Sequence, residues 1–170
     1  MTTASSLAEA AAQAHEFAEA GNERELADLR SKWGDDLEMT ARSADFRERA
    51  VAYRAIGQFR FRAKIELHRR GLEDESPASR GSALLSLELL SRDHPGDVNG
   101  VRPLLHELAT NDGNQAVRRL AIMALRNGSA QPQTIAILAA LGEDDEQDRE
   151  LREAAAKVAQ ALRKKAGPAK

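Results

Sequence analysis

A short motif built around an arginine recurs four times and constrains the fold more strongly than any other feature of this chain. Successive copies are 33, 38 and 34 residues apart, at Arg47, Arg80, Arg118 and Arg152. Three positions after each arginine stands an alanine. Four positions before it stands a residue type that caps helix N-termini, at Ser43, Ser76, Asn114 and Asp148. A near-constant period in this range is typical of repeat arrays, in which each unit packs on its neighbours. The chain is therefore predicted to be an array of repeats.

The apolar residues that follow each cap recur at helical spacing. After Asn114 they occupy positions i, i+3, i+4, i+7 and i+8, namely Val117, Leu120, Ala121, Ala124 and Leu125. Such a stripe is typical of an amphipathic helix. Partner helices are predicted between the motif copies, at 59–70, 101–109 and 135–141. Aromatic residues make up only 4% of the chain, and small apolar residues at helical spacing argue against a sheet. The sequence therefore predicts an all-α fold.

Short connections between consecutive helices make neighbouring helices antiparallel. We expect about eight to ten helices in antiparallel pairs, with the repeat array spanning 43–165. Residues 1–42 lack the motif and are predicted to form an N-terminal helical capping region, in which Gly34 interrupts the chain after a second helix. The segment His94-Pro95-Gly96-Asp97 is predicted to be a turn. Residues 166–170 are predicted to be a disordered tail.

Two copies of the motif resemble a known family. Asn114-Gln115-Ala116-Val117-Arg118-Arg119-Leu120-Ala121, and less closely Ser76-Pro77-Ala78-Ser79-Arg80, are similar to the second helix of HEAT repeats. That helix begins at a polar or acidic cap, often followed by proline and then by valine-arginine. The resemblance covers roughly 43–165 and implies a short right-handed α-solenoid. It also implies that the arginines link adjacent repeats as a structural ladder, a role we expect for Arg80, Arg118 and Arg152.

This chain departs from the HEAT pattern at two places. Aspartate occurs at the cap only as Asp148, and Ser79 replaces the apolar residue that normally precedes the arginine. Regularly spaced arginines could also line a groove for anionic ligands, which is the functional alternative to the ladder.

Charge is distributed unevenly along the chain, although its formal net charge is only −2. Residues 1–40 carry 3 basic and 9 acidic side chains, whereas residues 41–70 carry 9 basic and 3 acidic ones. On a helix, Arg47 and Arg54 share one face, and so would Arg62 and Arg69. We therefore predict that these four arginines bind an acidic segment of a partner protein. The alternatives are that the charges compensate the acidic flanking segments, or that they bind nucleic acid, for which the chain offers few stacking aromatics.

No pattern in the sequence indicates catalysis. The chain has no cysteine, no pair of histidines at metal-ligand spacing, no phosphate-binding glycine loop and no nucleophile elbow. The run Glu143-Asp144-Asp145-Glu146 lacks calcium-loop spacing and precedes a helix, where the dipole favours acidic residues. We predict no catalytic residue, no metal and no cofactor. Trp33 is predicted to pack in the core, with a partner anchor as the alternative.

These observations favour a non-catalytic protein-binding scaffold or adaptor. The first 20 residues lack the basic start of a secretory signal, and no apolar run approaches the roughly 20 residues that span a bilayer. We therefore expect a cytoplasmic protein without membrane contact. Two further classes rest on fold analogy alone. One is a nucleic-acid-binding solenoid resembling the HEAT-like DNA glycosylases, and the other resembles the HEAT-like lyases and chaperones of tetrapyrrole attachment.

Overall fold

The computed structural model describes residues 3–168, and every regular element in that range is helical. The ten α-helices found there are α1 (Leu7–Ala20), α2 (Glu23–Ala41), α3 (Phe46–Gln58), α4 (Ile65–Leu72), α5 (Pro77–Ser91), α6 (Pro95–Asn99), α7 (Arg102–Asn111), α8 (Gln115–Leu125), α9 (Pro132–Glu143) and α10 (Arg149–Ala166). A 3₁₀ turn, Arg62–Lys64, precedes α4. The prediction of an all-α fold is confirmed.

The chain divides into two compact units, Met1–Leu90 and Ser91–Lys170. In the first unit α1, α2 and α3 pack on one another, and α4 packs on α3. In the second unit α7 packs on α8 and α9 on α10, while α8 also contacts α10 and α7 contacts α9. Consecutive helices therefore pack as pairs inside this unit. The predicted boundary between residues 42 and 43 is not tested by this division and stays a prediction.

The interruption predicted at Gly34 is wrong, because α2 continues through it to Ala41. Gly34 is buried, and a Cβ added there would lie 3.4 Å from the Phe61 ring. Lys64 stands three residues after Phe61. Its ammonium forms an ion pair with Glu38, which lies one turn after Gly34 on α2. A Cβ 3.4 Å from the Phe61 ring would make an ordinary van der Waals contact, so the packing accommodates a helix residue at position 34 and imposes no turn there.

The predicted cap at Ser43 is also wrong, because α3 begins two residues later. Asp45 is the N-cap, and its carboxylate accepts a hydrogen bond from the backbone N–H of Arg47 at 2.9 Å. The hydroxyl of Ser43 instead accepts the backbone N–H of Asp45 at 3.1 Å. At the other three copies the helices begin directly after the predicted caps, and the side chains of Asn114 and Asp148 accept first-turn N–H groups.

The helix predicted over 59–70 is interrupted at its start. Arg60, two residues after the end of α3, has a left-handed backbone conformation with φ of 52°. Its guanidinium donates to the carbonyl of Gly57 at 2.8 Å and forms an ion pair with Glu19 of α1 at 2.7 Å. These bonds stabilise a conformation that residues other than glycine rarely adopt. Regular α-helix resumes only at Ile65, so Arg62 and Arg69 do not lie on one helix as expected.

Two other segments are more helical than the sequence suggests. Most of the turn predicted at residues 94–97 belongs instead to a five-residue helix, α6, which has Pro95 in its first turn. Of the tail predicted at 166–170, Ala166 ends α10 and Gly167 follows with φ of 76°, whereas residues 169 and 170 lie outside the described residues. Both segments use residues that suit helix termini, proline at the start and glycine past the end.

Helices α3 and α5 run side by side in the same direction, and this arrangement positions the candidate site. The hydroxyl of Ser79 contacts the carbonyl of Phe46 at 3.3 Å near the start of both helices. One to two turns further on, the Ser86 hydroxyl donates to the carbonyl of Arg54 at 3.0 Å and accepts the N–H of Gly57 at 2.9 Å. The helices approach so closely that a Cβ on Gly57 would lie 2.5 Å from the Ser86 backbone.

Candidate protein-binding surface

An arginine four positions after the observed cap of each motif helix makes hydrogen bonds or ion pairs near the start of its helix, and together these arginines form a network. With Asp45 as the first cap, the arginine four positions later is Arg49, not Arg47. Its Nη1 donates to the carbonyls of Ser43 and Ala44 in the loop before α3, at 3.1 and 3.0 Å. Its Nε and Nη2 make a bidentate pair with the carboxylate of Asp74, at 2.9 and 3.0 Å. Arg49 thereby connects the loops that precede two successive motif helices.

The other three arginines of the motif also bond the segments around the starts of the motif helices, either loops or, for Arg118, the last turn of the preceding helix. Arg80 Nη1 donates to the carbonyl of Asp74 at 2.9 Å. Arg118 donates from Nε to the carbonyl of Ala109 at 2.9 Å, and from Nη1 to the Gln147 side chain at 2.9 Å. Arg152 pairs through Nη2 with Asp145, at 3.1 Å. Arg118 is the most deeply placed of the three, with only 7% of its surface exposed.

Asp74 is the acidic partner in this network. Burial alone would raise the pKa of its carboxyl group, but hydrogen bonds from the Arg49 guanidinium and from the Ser76 N–H outweigh that effect. The pKa of Asp74 is consequently below its ordinary value of 3.8. The charged carboxylate is thus part of the folded structure, because it satisfies an arginine and a helix N-terminus at once.

Several cations of the basic block, residues 41–70, are paired with acidic side chains from the flanking segments. Besides Arg49 with Asp74, the pairs are Arg60 with Glu19, Lys64 with Glu38, and Arg42 with Glu38 at 3.9 Å. Charge compensation, one of the alternatives for this block, therefore accounts for part of it.

The four predicted partner-binding arginines do not form one continuous face. Arg47 is exposed in the first turn of α3, and Arg69 is exposed near the end of α4. These two lie at the same end of the α3–α4 pair, because Asp74, just after α4, bonds Arg49 in the first turn of α3. Arg62 lies in the 3₁₀ turn before α4, at the opposite end of that helix from Arg69. Arg54 is half-buried.

The position of Arg54 limits what it can contribute. Burial lowers the pKa of its guanidinium, and the nearby carboxylate of Glu88 on α5 partly offsets that effect. Its Nη1 is covered and has no hydrogen-bond acceptor among the described residues. Arg54 therefore serves the contact between α3 and α5 at least as much as it faces solvent.

Exposed apolar side chains accompany these arginines, and sequence reasoning missed them as site residues. On α3, Phe46 is 44% exposed and Val51 is 38% exposed. On α5, Leu85 is 38% exposed. The guanidinium of Arg47 lies over the Phe46 ring, 5.5 Å from its centroid. One signal was available in the sequence. Counted from Arg47, Val51 is at i+4 and Arg54 is at i+7, so all three lie on one side of a helix.

Val51 and Leu85 lie on the same side of the α3–α5 pair. Each stands three residues before a member of the interacting charged pair, Arg54 and Glu88, so each shares a helix face with that member. The contact between Ser86 and Arg54 also brings the two apolar residues to nearly the same level. We call Phe46, Arg47, Val51, Arg54 and Leu85 the α3 surface. It combines exposed apolar area with positive charge.

A buried polar cluster in the second unit was not predicted from the sequence. Arg102, only 5% exposed, donates to the hydroxyls of Thr134 and Ser129, both at 2.9 Å, and to the Asn99 side chain. His106 Nε2 lies 2.9 Å from the Thr134 hydroxyl. Burial, and secondly the charge of Arg102, lower the pKa of His106. The cluster ties the start of α7 to the start of α9.

Within residues 3–168, no three histidine or acidic side chains come together in a way that could hold a metal ion. None of the helices in this range is both long and apolar enough to cross a bilayer.

Comparison with known proteins returned no match to a protein-family model, to a curated protein or to a solved structure. The HEAT-like relationship therefore rests on the motif residues themselves.

Proposed function

We propose that the chain is a non-catalytic protein-binding module, a scaffold or adaptor, whose α3 surface recognises an acidic segment of a partner protein. The observation that carries the proposal is the exposure of Phe46, Val51 and Leu85 on α3 and α5, together with the Arg47 guanidinium over the Phe46 ring. Interface cores favour aromatic residues and arginine over lysine and acidic residues. The matching partner is a segment in which apolar residues alternate with aspartate or glutamate.

We propose further that the helices form a short right-handed HEAT-like solenoid, with Arg80, Arg118 and Arg152 in its ladder. The support is local. All three arginines stand four residues after a helix cap. Arg80 and Arg152 bond the loops before their own helices, and Arg118 bonds the end of α7 and the loop before α10. Stacked pairs such as α7–α8 and α9–α10 are the packing that a solenoid requires. A cytoplasmic location belongs to the same proposal.

The proposal is tested with a fluorescent peptide that contains two leucines flanked by aspartates and glutamates. The double variant Arg47→Glu/Val51→Asp should bind at least about tenfold more weakly, because it reverses a charge and removes apolar contact. The control is Arg163→Glu, an exposed arginine on α10 of the second unit. Fluorescence anisotropy at about 50 mM and 200 mM salt measures both effects. Equal affinity of the double variant and the wild type would refute the α3 surface as the site.

A second experiment uses natural partners. Affinity capture from lysate of the source cells, with and without nuclease, compares the wild type with the same double variant. A protein that survives nuclease treatment and is lost with the variant supports the proposal. If the captured material disappears on nuclease treatment, the surface binds nucleic acid instead, and the protein-binding function is wrong.

A further inference from the structure

A groove between α1 and α2 in the first unit has the features of a second binding site, of opposite charge to the α3 surface. Its volume is about 240 Å³, which is below the roughly 300–1,000 Å³ of pockets for drug-sized ligands. Its walls are Phe17 from α1 and Leu29 and Trp33 from α2. The size suits a single apolar side chain.

The walls are unusual for these two helices because they are incompletely covered. On α1, Leu7, Ala10, Ala11 and Ala14 are buried. Phe17, Leu29 and Trp33 are all half-buried instead. Three large apolar side chains thus share one open groove. Contiguous apolar surface of this kind marks interaction sites more often than isolated exposed residues do.

Trp33 contributes a ring face and an unpaired polar atom to this region. Its indole Nε1 is covered and has no hydrogen-bond acceptor among the described residues, although a buried indole N–H normally finds a partner. The Lys32 ammonium lies 5.9 Å from the centre of the Trp33 ring, so the ring face already contacts a cation from the same helix. A cationic side chain of an occupant would compete with Lys32 for that face.

The rim of the groove is acidic. Glu25 and Asp28 line it, both exposed on α2, against the single cation of Lys32. The surrounding residues 1–40 carry 9 acidic and 3 basic side chains. This charge favours a positively charged occupant and repels an acidic one. The acidic charge also distinguishes this groove from the α3 surface, for which an acidic partner segment is proposed.

We propose that the α1–α2 groove binds a basic segment of a partner protein, which inserts one apolar side chain between Phe17, Leu29 and Trp33. Arginine or lysine residues flanking that side chain pair with Glu25 and Asp28. The site is independent of the proposed α3 function, since it differs in residues and in the sign of its charge.

The single tryptophan of the chain lines this groove and provides a direct readout. The probe is a tryptophan-free synthetic peptide in which one phenylalanine and one leucine are flanked by arginines. Titration of the full chain should change the intensity or wavelength of Trp33 emission in a saturable manner. A peptide with glutamates in place of the arginines, and one with serines in place of the apolar residues, should each bind at least about tenfold more weakly.

Two charge variants are expected to change the affinity for the arginine peptide in opposite directions. Glu25→Lys/Asp28→Lys should weaken binding about tenfold, whereas Lys32→Glu should strengthen it, because that change removes a competing cation and adds negative charge. Asp35→Lys, at an exposed position further along α2, is the matched control and should bind as the wild type does. Circular dichroism verifies that each variant is folded. No saturable emission change, or equal affinity for the arginine and glutamate peptides, would overturn the proposal.

Discussion

Two neighbouring arginines on α3 illustrate how position decides the role of a side chain. Arg49 has a side chain that is only 12% exposed and pairs with the Asp74 carboxylate, which is 8% exposed. Arg47 is exposed, and its guanidinium lies over the Phe46 ring. The sequence motif fits either residue, since an alanine follows each by three positions. The difference arises from the cap, which is Asp45 and not Ser43.

The first prediction compares these two arginines directly. Arg49→Ala should lower the melting temperature markedly, because it leaves Asp74 without its bidentate partner and frees the loop carbonyls of Ser43 and Ala44. Arg47→Ala should leave the melting temperature nearly unchanged. Thermal unfolding followed by circular dichroism measures both. If the two variants melt alike, the register that places Arg49 in the network is incorrect.

The second prediction concerns the pH dependence of stability. The pKa of His106 is lowered by burial and by Arg102, so the unfolded chain binds this proton more readily than the folded chain does. The resulting stability is fully present above the unfolded pKa of about 6.5 and is lost as the pH falls below it towards the folded pKa.

His106→Gln should therefore flatten the loss of unfolding free energy between about pH 7 and pH 5. The amide side chain can still contact Thr134 but does not titrate. The matched control is His94→Gln, since His94 is exposed ahead of α6. Urea denaturation at several pH values provides the comparison. An unchanged slope for His106→Gln would show that this histidine does not couple to folding.

At the scale of helices, close approach explains residues that look unfavourable in the sequence. Glycine inside a helix usually costs about 1 kcal/mol relative to alanine. Gly57 lies in the last turn of α3, where Ser86 of α5 occupies the space of a side chain. Gly71 of α4 packs similarly, with the Tyr53 ring 2.7 Å from a hypothetical Cβ. These two glycines allow α3, α4 and α5 to pack as tightly as they do.

The third prediction reverses the normal effect of a glycine substitution. Gly57→Ala should destabilise the protein by about 2 kcal/mol or more, because overpacking forces α3 and α5 apart. Gly96→Ala is the control, since nothing lies within 4 Å of a Cβ at that position, and it should be neutral or slightly stabilising. Chemical denaturation yields both free energies. A stabilising Gly57→Ala would contradict the observed contact with Ser86.

At the scale of the whole molecule, the net charge of −2 conceals surfaces of opposite sign within the first unit. The acidic groove lies on α1 and α2, and the α3 surface follows in the basic block. Ion pairs such as Arg60–Glu19 and Lys64–Glu38 neutralise part of that block. What remains exposed, chiefly Arg47 and Arg69, is therefore a smaller set of cations than the sequence suggests. Binding at both surfaces should weaken with salt, because exposed charges are screened.

Local signals in the sequence sufficed for the helical class, for most helices and for the caps at Asn114 and Asp148. Such signals act within one or two turns, as apolar periodicity and capping do, so they can be read without knowing the fold. The candidate cations Arg47 and Arg69 were also identifiable, since a charge cluster is visible in the sequence itself.

Only the tertiary structure decided the remaining features. Gly34 is buried inside α2 next to the Phe61 ring, and the role of Arg49 depends on Asp74, 25 positions away. The exposure of Val51 and Leu85 depends on how α3 and α5 pack. In each case the contacting residue is distant in the sequence, so local signals do not reveal the contact.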